Sequence, residues 1–169
     1  IYAAEVAAVP DVRGWGGMIS SALQEDMVTS LEQEGPNDFV NPITGQKEYS
    51  ALALSGGGSN GAFGAGFLYG WSKRENRPDF KLVTGISTGA LIAPFAFLGP
   101  AYDEELKEVY TTIDTKRIIE KLNIFTILTR SESFSRSTPL QDLISEHIDE
   151  RMLQAVAHAH DQGRRLYIG

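Results

Sequence analysis

"SALALSGGGSNGAFGAG", residues 50–66, sets an apolar run directly before glycines at 56, 57, 58, 61, 64 and 66. Glycine that dense is costly, because each one loses more backbone freedom on folding than any other residue. A bare glycine loop between a strand and a helix is useful where backbone N–H groups must approach negative charge. Two chemistries have that need. One is a phosphate cradle and the other is an oxyanion hole.

The next turn along the chain separates them. Gly56–Gly61 satisfies G-x-G-x-x-G, but a dinucleotide site also needs an acid about 20 residues on, at the end of the second strand. Asp79 has the separation, yet it precedes the second apolar run, "FKLVTGI" (80–86). That run ends instead in "GISTG" (85–89), the G-x-S-x-G of a nucleophile elbow. In this reading Ser87 is the nucleophile. Gly85, Ile86, Thr88 and Gly89 shape the elbow, and the helix behind it aims its positive end at the site. Gly56, Gly57 and Gly58 then become oxyanion donors, each such donor contributing roughly 3 kcal/mol to transition-state stabilisation. Taken alone, G-x-S-x-G also fits a tight turn in which Ser87 merely caps a helix.

Outward from these turns the chain alternates strand and helix. "YSALALS" (49–55) and "FKLVTGI" read as strands, and "GAFGAGFLYGWSKR" (61–74) and "STGALIAPFAFLG" (87–99) as helices. "DEELKEVYTTI" (103–113) is amphipathic with an acidic first turn, and "RRLYIG" (164–169) starts a strand. "KRIIEKLNIFTILTR" (116–130) is mixed, "SESFSRSTP" (131–139) is a serine-rich loop, and residues 140–163 carry one long helical period ending at Gly163. This order predicts an α/β fold with a mainly parallel sheet covered by helices. Residues 1–48 differ. A Pro- and Gly-containing start, a helical pattern over 20–35 and a polar connector predict an extension packed on the domain at 49–169.

The composition narrows the function. A net charge of −7 with no basic run argues against nucleic acid as a partner. The pair Arg164-Arg165 reads as a solvated turn before a strand. With no cysteine, disulfides, thiolate zinc sites and a cysteine nucleophile are excluded. The apolar stretch at 90–99 is shorter than the roughly 20 residues that span a bilayer. The chain opens on Ile1, and the expectation is that further sequence precedes it.

"GGGSNG" (56–61) followed by "GISTG" (85–89), with the flanks "ALALSGGG" and "VTGISTGALIA", resembles the patatin-like phospholipase family. The resemblance covers roughly 49–169 and is strongest over 51–99. It implies a three-layer α/β/α fold, incomplete in this chain, and a serine lipid acyl hydrolase of the phospholipase A, lysophospholipase or esterase type. It also implies a Ser–Asp dyad in which Ser87 attacks the ester and an aspartate in a D-G-G or D-G-A motif activates it. No metal or cofactor is implied. The partners implied are a lipid or ester substrate and a membrane surface. The segment before the domain is similar to the exported, lipoprotein-like start of bacterial members.

Two departures from the family stand out. None of the nine aspartates is followed by glycine, so the dyad aspartate is expected outside this chain, as further sequence or a second chain. Residues 1–169 alone are then expected not to turn over substrate. Asn60 stands in the loop where plant-type members carry an arginine nearby, which removes a cation from the anion site. Two other readings remain open. An α/β-hydrolase triad would draw on Asp142 and one of His147, His158 and His160, but all three histidines fall in the long helical period. A non-catalytic lipid- or nucleotide-binding module would use the same loop without chemistry. "LIAPFAFLG" (91–99) and "FLYGW" (67–71), with Phe63, Phe67 and Tyr69, are apolar enough to line an acyl pocket or simply to form core.

Overall fold

The computed structural model describes residues 9–10, 12–14, 17–112 and 147–169. The mixed segment at 116–130, the serine-rich loop at 131–139, Asp142 and the first residues of the long helical period lie outside the described residues.

Strands β1 (Ala51–Leu54), β2 (Leu82–Gly85) and β3 (Arg165–Ile168) form a parallel sheet in the order β1-β2-β3. The helices are α1 (Ser21–Glu32), α2 (Gly61–Ser72), α3 (Thr88–Leu98), α4 (Asp103–Thr112) and α5 (Glu150–Asp161). The expected α/β class is therefore what is found, with a sheet of three strands among the described residues.

Register explains the two faces. Leu52 pairs with Val83 and Val83 with Leu166, so these three share one face. That face packs with Leu68, Phe95, Phe97, Leu106 and Met152 into the core. Arg165 and Tyr167 point the other way, and both bond Asp26 of α1. Helices thus lie on both sides of the sheet, with α3 against all three strands. Every residue of α3 from Ile92 to Phe97 is buried, which fits a helix apolar all round. "LIAPFAFLG" is core. In α2, Ala65 and Leu68 are buried, but Phe63 and Phe67 are 78% and 58% exposed. Gly99, at φ 88, ends α3. Arg77 then joins the last turn of α3 to the first of α4, donating to Ala96 O (2.8 Å) and to Asp103 Oδ1 (2.7 Å).

Two expectations are corrected. Arg164-Arg165 is not a solvated turn. Arg165 is 1% exposed and donates to Asp26, Gln33 and the His160 carbonyl. Arg164 lies over the Phe97 ring and donates to Phe80 O. A guanidinium offers five donors, and here protein acceptors take them up in place of water. The single long helix is also broken. Asp149 is extended (φ −86, ψ 173) and accepts from Met152 N, so α5 begins at Glu150. Apolar periodicity runs through a capping residue without registering it.

Polar contacts hold α1 to the sheet. Ser30 Oγ donates to Gly163 O (2.8 Å), and buried Lys81 donates to Ser30 O (3.0 Å) and Glu34 Oε1 (2.6 Å). Burial pushes the Glu34 carboxyl up, but bonds from Lys47, Lys81 and Tyr49 outweigh it and hold Glu34 at about 2. Burial likewise pushes Asp26 up, and Arg165 and Tyr167 hold it below its ordinary value. A carboxylate depressed on folding stabilises the fold above its unfolded pKa, and that stabilisation is lost as pH falls toward the folded value. Melting temperature is therefore expected to drop between pH 4.5 and about 2 as Glu34 takes up a proton. In Glu34→Gln, melting curves recorded across that range should show a flatter drop. An unchanged pH profile would remove Glu34 from the clamp.

Candidate active site

Ser87 stands between β2 and α3 with φ 56 and ψ −122. A non-glycine residue held there stores about 1–3 kcal/mol of strain. Its surroundings pin it in place. Ile86 N donates to Leu54 O (3.1 Å), Ser87 N to Gly169 O (3.3 Å) and Ala90 N to Ser87 O (2.9 Å). The Ser87 side chain makes no capping bond to α3. A serine that only caps a helix sits in the extended region and accepts from the second or third N–H of the helix. Ser87 does neither, so the helix-cap alternative fails on geometry.

The elbow glycines are there for close approach. A Cβ on Gly85 would fall 2.8 Å from Ala93 Cβ, and one on Gly89 would fall 2.7 Å from the Leu54 carbonyl carbon. Both contacts are closer than real Cβ atoms tolerate, so α3 reaches β1 and β2 only across bare backbone. Ile86 is 61% exposed beside the serine.

The glycine loop comes up to the same point. A Cβ on Gly56 would lie 2.9 Å from Ser87 Cβ and 3.4 Å from its Oγ. Gly58 has φ 56, a left-handed value that favours glycine. The N–H groups of Gly56, Gly57 and Gly58 meet no backbone acceptor among the described residues. The first turns of α2 and α3 both start here, so two positive helix ends share the site. "GGGSNG" and "GISTG", separate in sequence, are brought into contact at the C-terminal edge of the sheet.

Other candidates are not brought there. His158 and His160 are exposed on α5, whose end leads into the start of β3, at the opposite edge from Ser87. His147 precedes α5, and its buried Nε2 has no partner among the described residues. Asp79, the acid weighed for a ribose, lies before β2 and so also at that far edge. Of the described aspartates, Asp26 and Asp103 are paired with Arg165 and Arg77. Asp149 caps α5 and Asp38 accepts from Gly35 N. Asp161 closes α5 at the far edge. None of the six bonds Ser87.

A model of the patatin-like phospholipase family matches residues 52–163, about two-thirds of the chain. The chain belongs to the patatin-like phospholipase family. The match opens in β1, takes in both strand-to-helix turns and closes just before β3. No curated protein and no solved structure gives a significant match. Family membership makes lipid acyl hydrolysis the reaction class to which this patatin-like chain is tied. Among its described residues no helix is long and apolar enough to cross a membrane.

Two features of this patatin-like site have no local signal in the sequence. Gly169 closes the elbow through its backbone, accepting from Ser87 N and donating to Gly85 O. Tyr110, at the end of α4, places its hydroxyl against Gly61. Both depend on chain segments meeting across the fold.

Proposed function

We propose that the chain carries the nucleophile and oxyanion hole of a serine lipid acyl hydrolase of the phospholipase A, lysophospholipase or esterase type. The observation that carries this is the strained, uncapping Ser87 held against Gly56 at a turn shared by two helix N-termini. Ser87 Oγ attacks the ester carbonyl, and its proton passes to the dyad aspartate. The N–H groups of Gly56, Gly57 and Gly58 hold the oxyanion. Collapse expels the alcohol, which takes the proton back, and water then hydrolyses the acyl-serine. The dyad aspartate lies outside this chain, a reading supported by the other employments of the described aspartates. Residues 1–48 serve as an extension clamped to the domain through Asp26, Ser30 and Glu34. Exposed Ile86, Phe63 and Phe67 are the apolar groups that would meet a lipid surface.

A serine-directed fluorophosphonate probe tests the reading. The full-length protein should label at Ser87 and cleave p-nitrophenyl esters or phospholipids, and residues 1–169 expressed on their own should show no turnover. Absence of both labelling and hydrolysis in the full-length protein would favour a non-catalytic lipid-binding module. Ser87-dependent turnover by residues 1–169 would place the base within them.

A further inference from the structure

Two buried hydroxyls behind the candidate site, Thr88 Oγ1 and Tyr110 Oη, have no hydrogen-bond partner among the described residues. Thr88 is 7% exposed and directly follows Ser87. Tyr110 comes from the last turn of α4. They meet at Gly61, the first residue of α2 and the last glycine of "GGGSNG". A Cβ there would lie 3.0 Å from Tyr110 Oη and 3.3 Å from Thr88 Cβ. A single glycine is thus clasped between the residue after the nucleophile and a phenol from another helix. The loop that holds Gly56, Gly57 and Gly58 runs straight into it.

Packing alone does not call for these hydroxyls. Phenylalanine and valine would fill the same volumes without burying an unpaired polar group, which is a net cost to stability. Such a group in a native protein calls for a reason, and a role in catalysis is one. Burial pushes the Tyr110 phenol up to about 12, so it keeps its proton, and its dipole, through the neutral range.

We propose that Tyr110, together with Thr88, is a positioning residue of the acyl-transfer site, its O–H dipole set behind the oxyanion loop and the elbow. The inference rests on the acyl-transfer reading above. Tyr110 does not touch substrate. It acts through Gly61, fixing the oxyanion loop against the elbow, and its dipole turns toward the negative charge that develops on the carbonyl bound to Ser87. Dipoles held in a water-poor site act more strongly than they would in water.

The test uses the full-length protein with Tyr110→Phe, Thr88→Val and Ser87→Ala, in steady-state ester hydrolysis and thermal melting. Tyr110→Phe should melt at the wild-type temperature or about 2–4 °C above it. Its kcat should fall about tenfold, or ~1.4 kcal/mol of transition-state stabilisation, with KM within about twofold. Thr88→Val should move the same way, and it decides the matter if Tyr110→Phe fails to fold. Wild-type kcat in Tyr110→Phe would overturn the proposal, as would a kcat loss matched by a fall in melting temperature. If Ser87→Ala is inactive while Tyr110→Phe is as fast as wild type, only the role of Tyr110 is lost. If Ser87→Ala stays active, the acyl-transfer reading and this inference fall together.

Discussion

Ser87→Ala in the full-length protein is expected to lower ester hydrolysis by about 10⁴–10⁶-fold, the cost of removing a catalytic serine, with melting almost unchanged. Alanine keeps the Cβ and so keeps the strain at φ 56 and ψ −122. Ser87→Gly separates the two effects. Glycine adopts that conformation freely, so this variant should be as inactive as alanine yet more stable by about 1 kcal/mol. A structural turn residue would show the stability gain without the loss of activity. Kinetics on a p-nitrophenyl ester, with melting curves for both variants, check the pair. An alanine variant that retained hydrolysis would remove Ser87 from the chemistry.

Local signals reached a long way into this fold. β1, α2, β2, α3 and α4 fall where the glycines and apolar periods of residues 49–113 put them, because those signals act over a few residues. The two turns could be read as partners for the same reason: each has its own glycine pattern, and consecutive strand-to-helix turns of a parallel sheet share an edge. What stayed hidden depends on distance along the chain. Arg165 looked solvated because its acceptor, Asp26, is 139 residues away. The start of α5 was obscured because Asp149 caps it inside an unbroken apolar period. Tyr110 gave no signal, since a tyrosine on an amphipathic helix reads as ordinary core. Its hydroxyl becomes notable only once α4 is packed beside Gly61.

Gly89→Ala should remove much of the protein's stability, a larger loss than at any other elbow position except Gly85. The methyl group would enter the carbonyl of Leu54, with its carbon 2.7 Å away, and Ser55 O would be 2.9 Å off. Both obstacles are backbone, so no rotamer change relieves the clash. Either β1 or α3 must move. Moving α3 disturbs the core, where Phe95, Phe97 and Val83 are almost wholly buried. A backbone clash that cannot relax and displaces packed elements costs about 3–5 kcal/mol. Against the roughly 5–15 kcal/mol that holds a domain together, that is much of its stability. Gly66→Ala is the matched control. Gly66 lies in α2, and a Cβ added there would meet nothing within 4 Å, so alanine should stabilise by about 0.5–1 kcal/mol through helix propensity alone. Urea melts of the two variants would show opposite shifts in midpoint. If Gly89→Ala instead melted like wild type, α3 would not be seated on the end of β1, and the contact between glycine loop and elbow, which depends on that seating, would go with it.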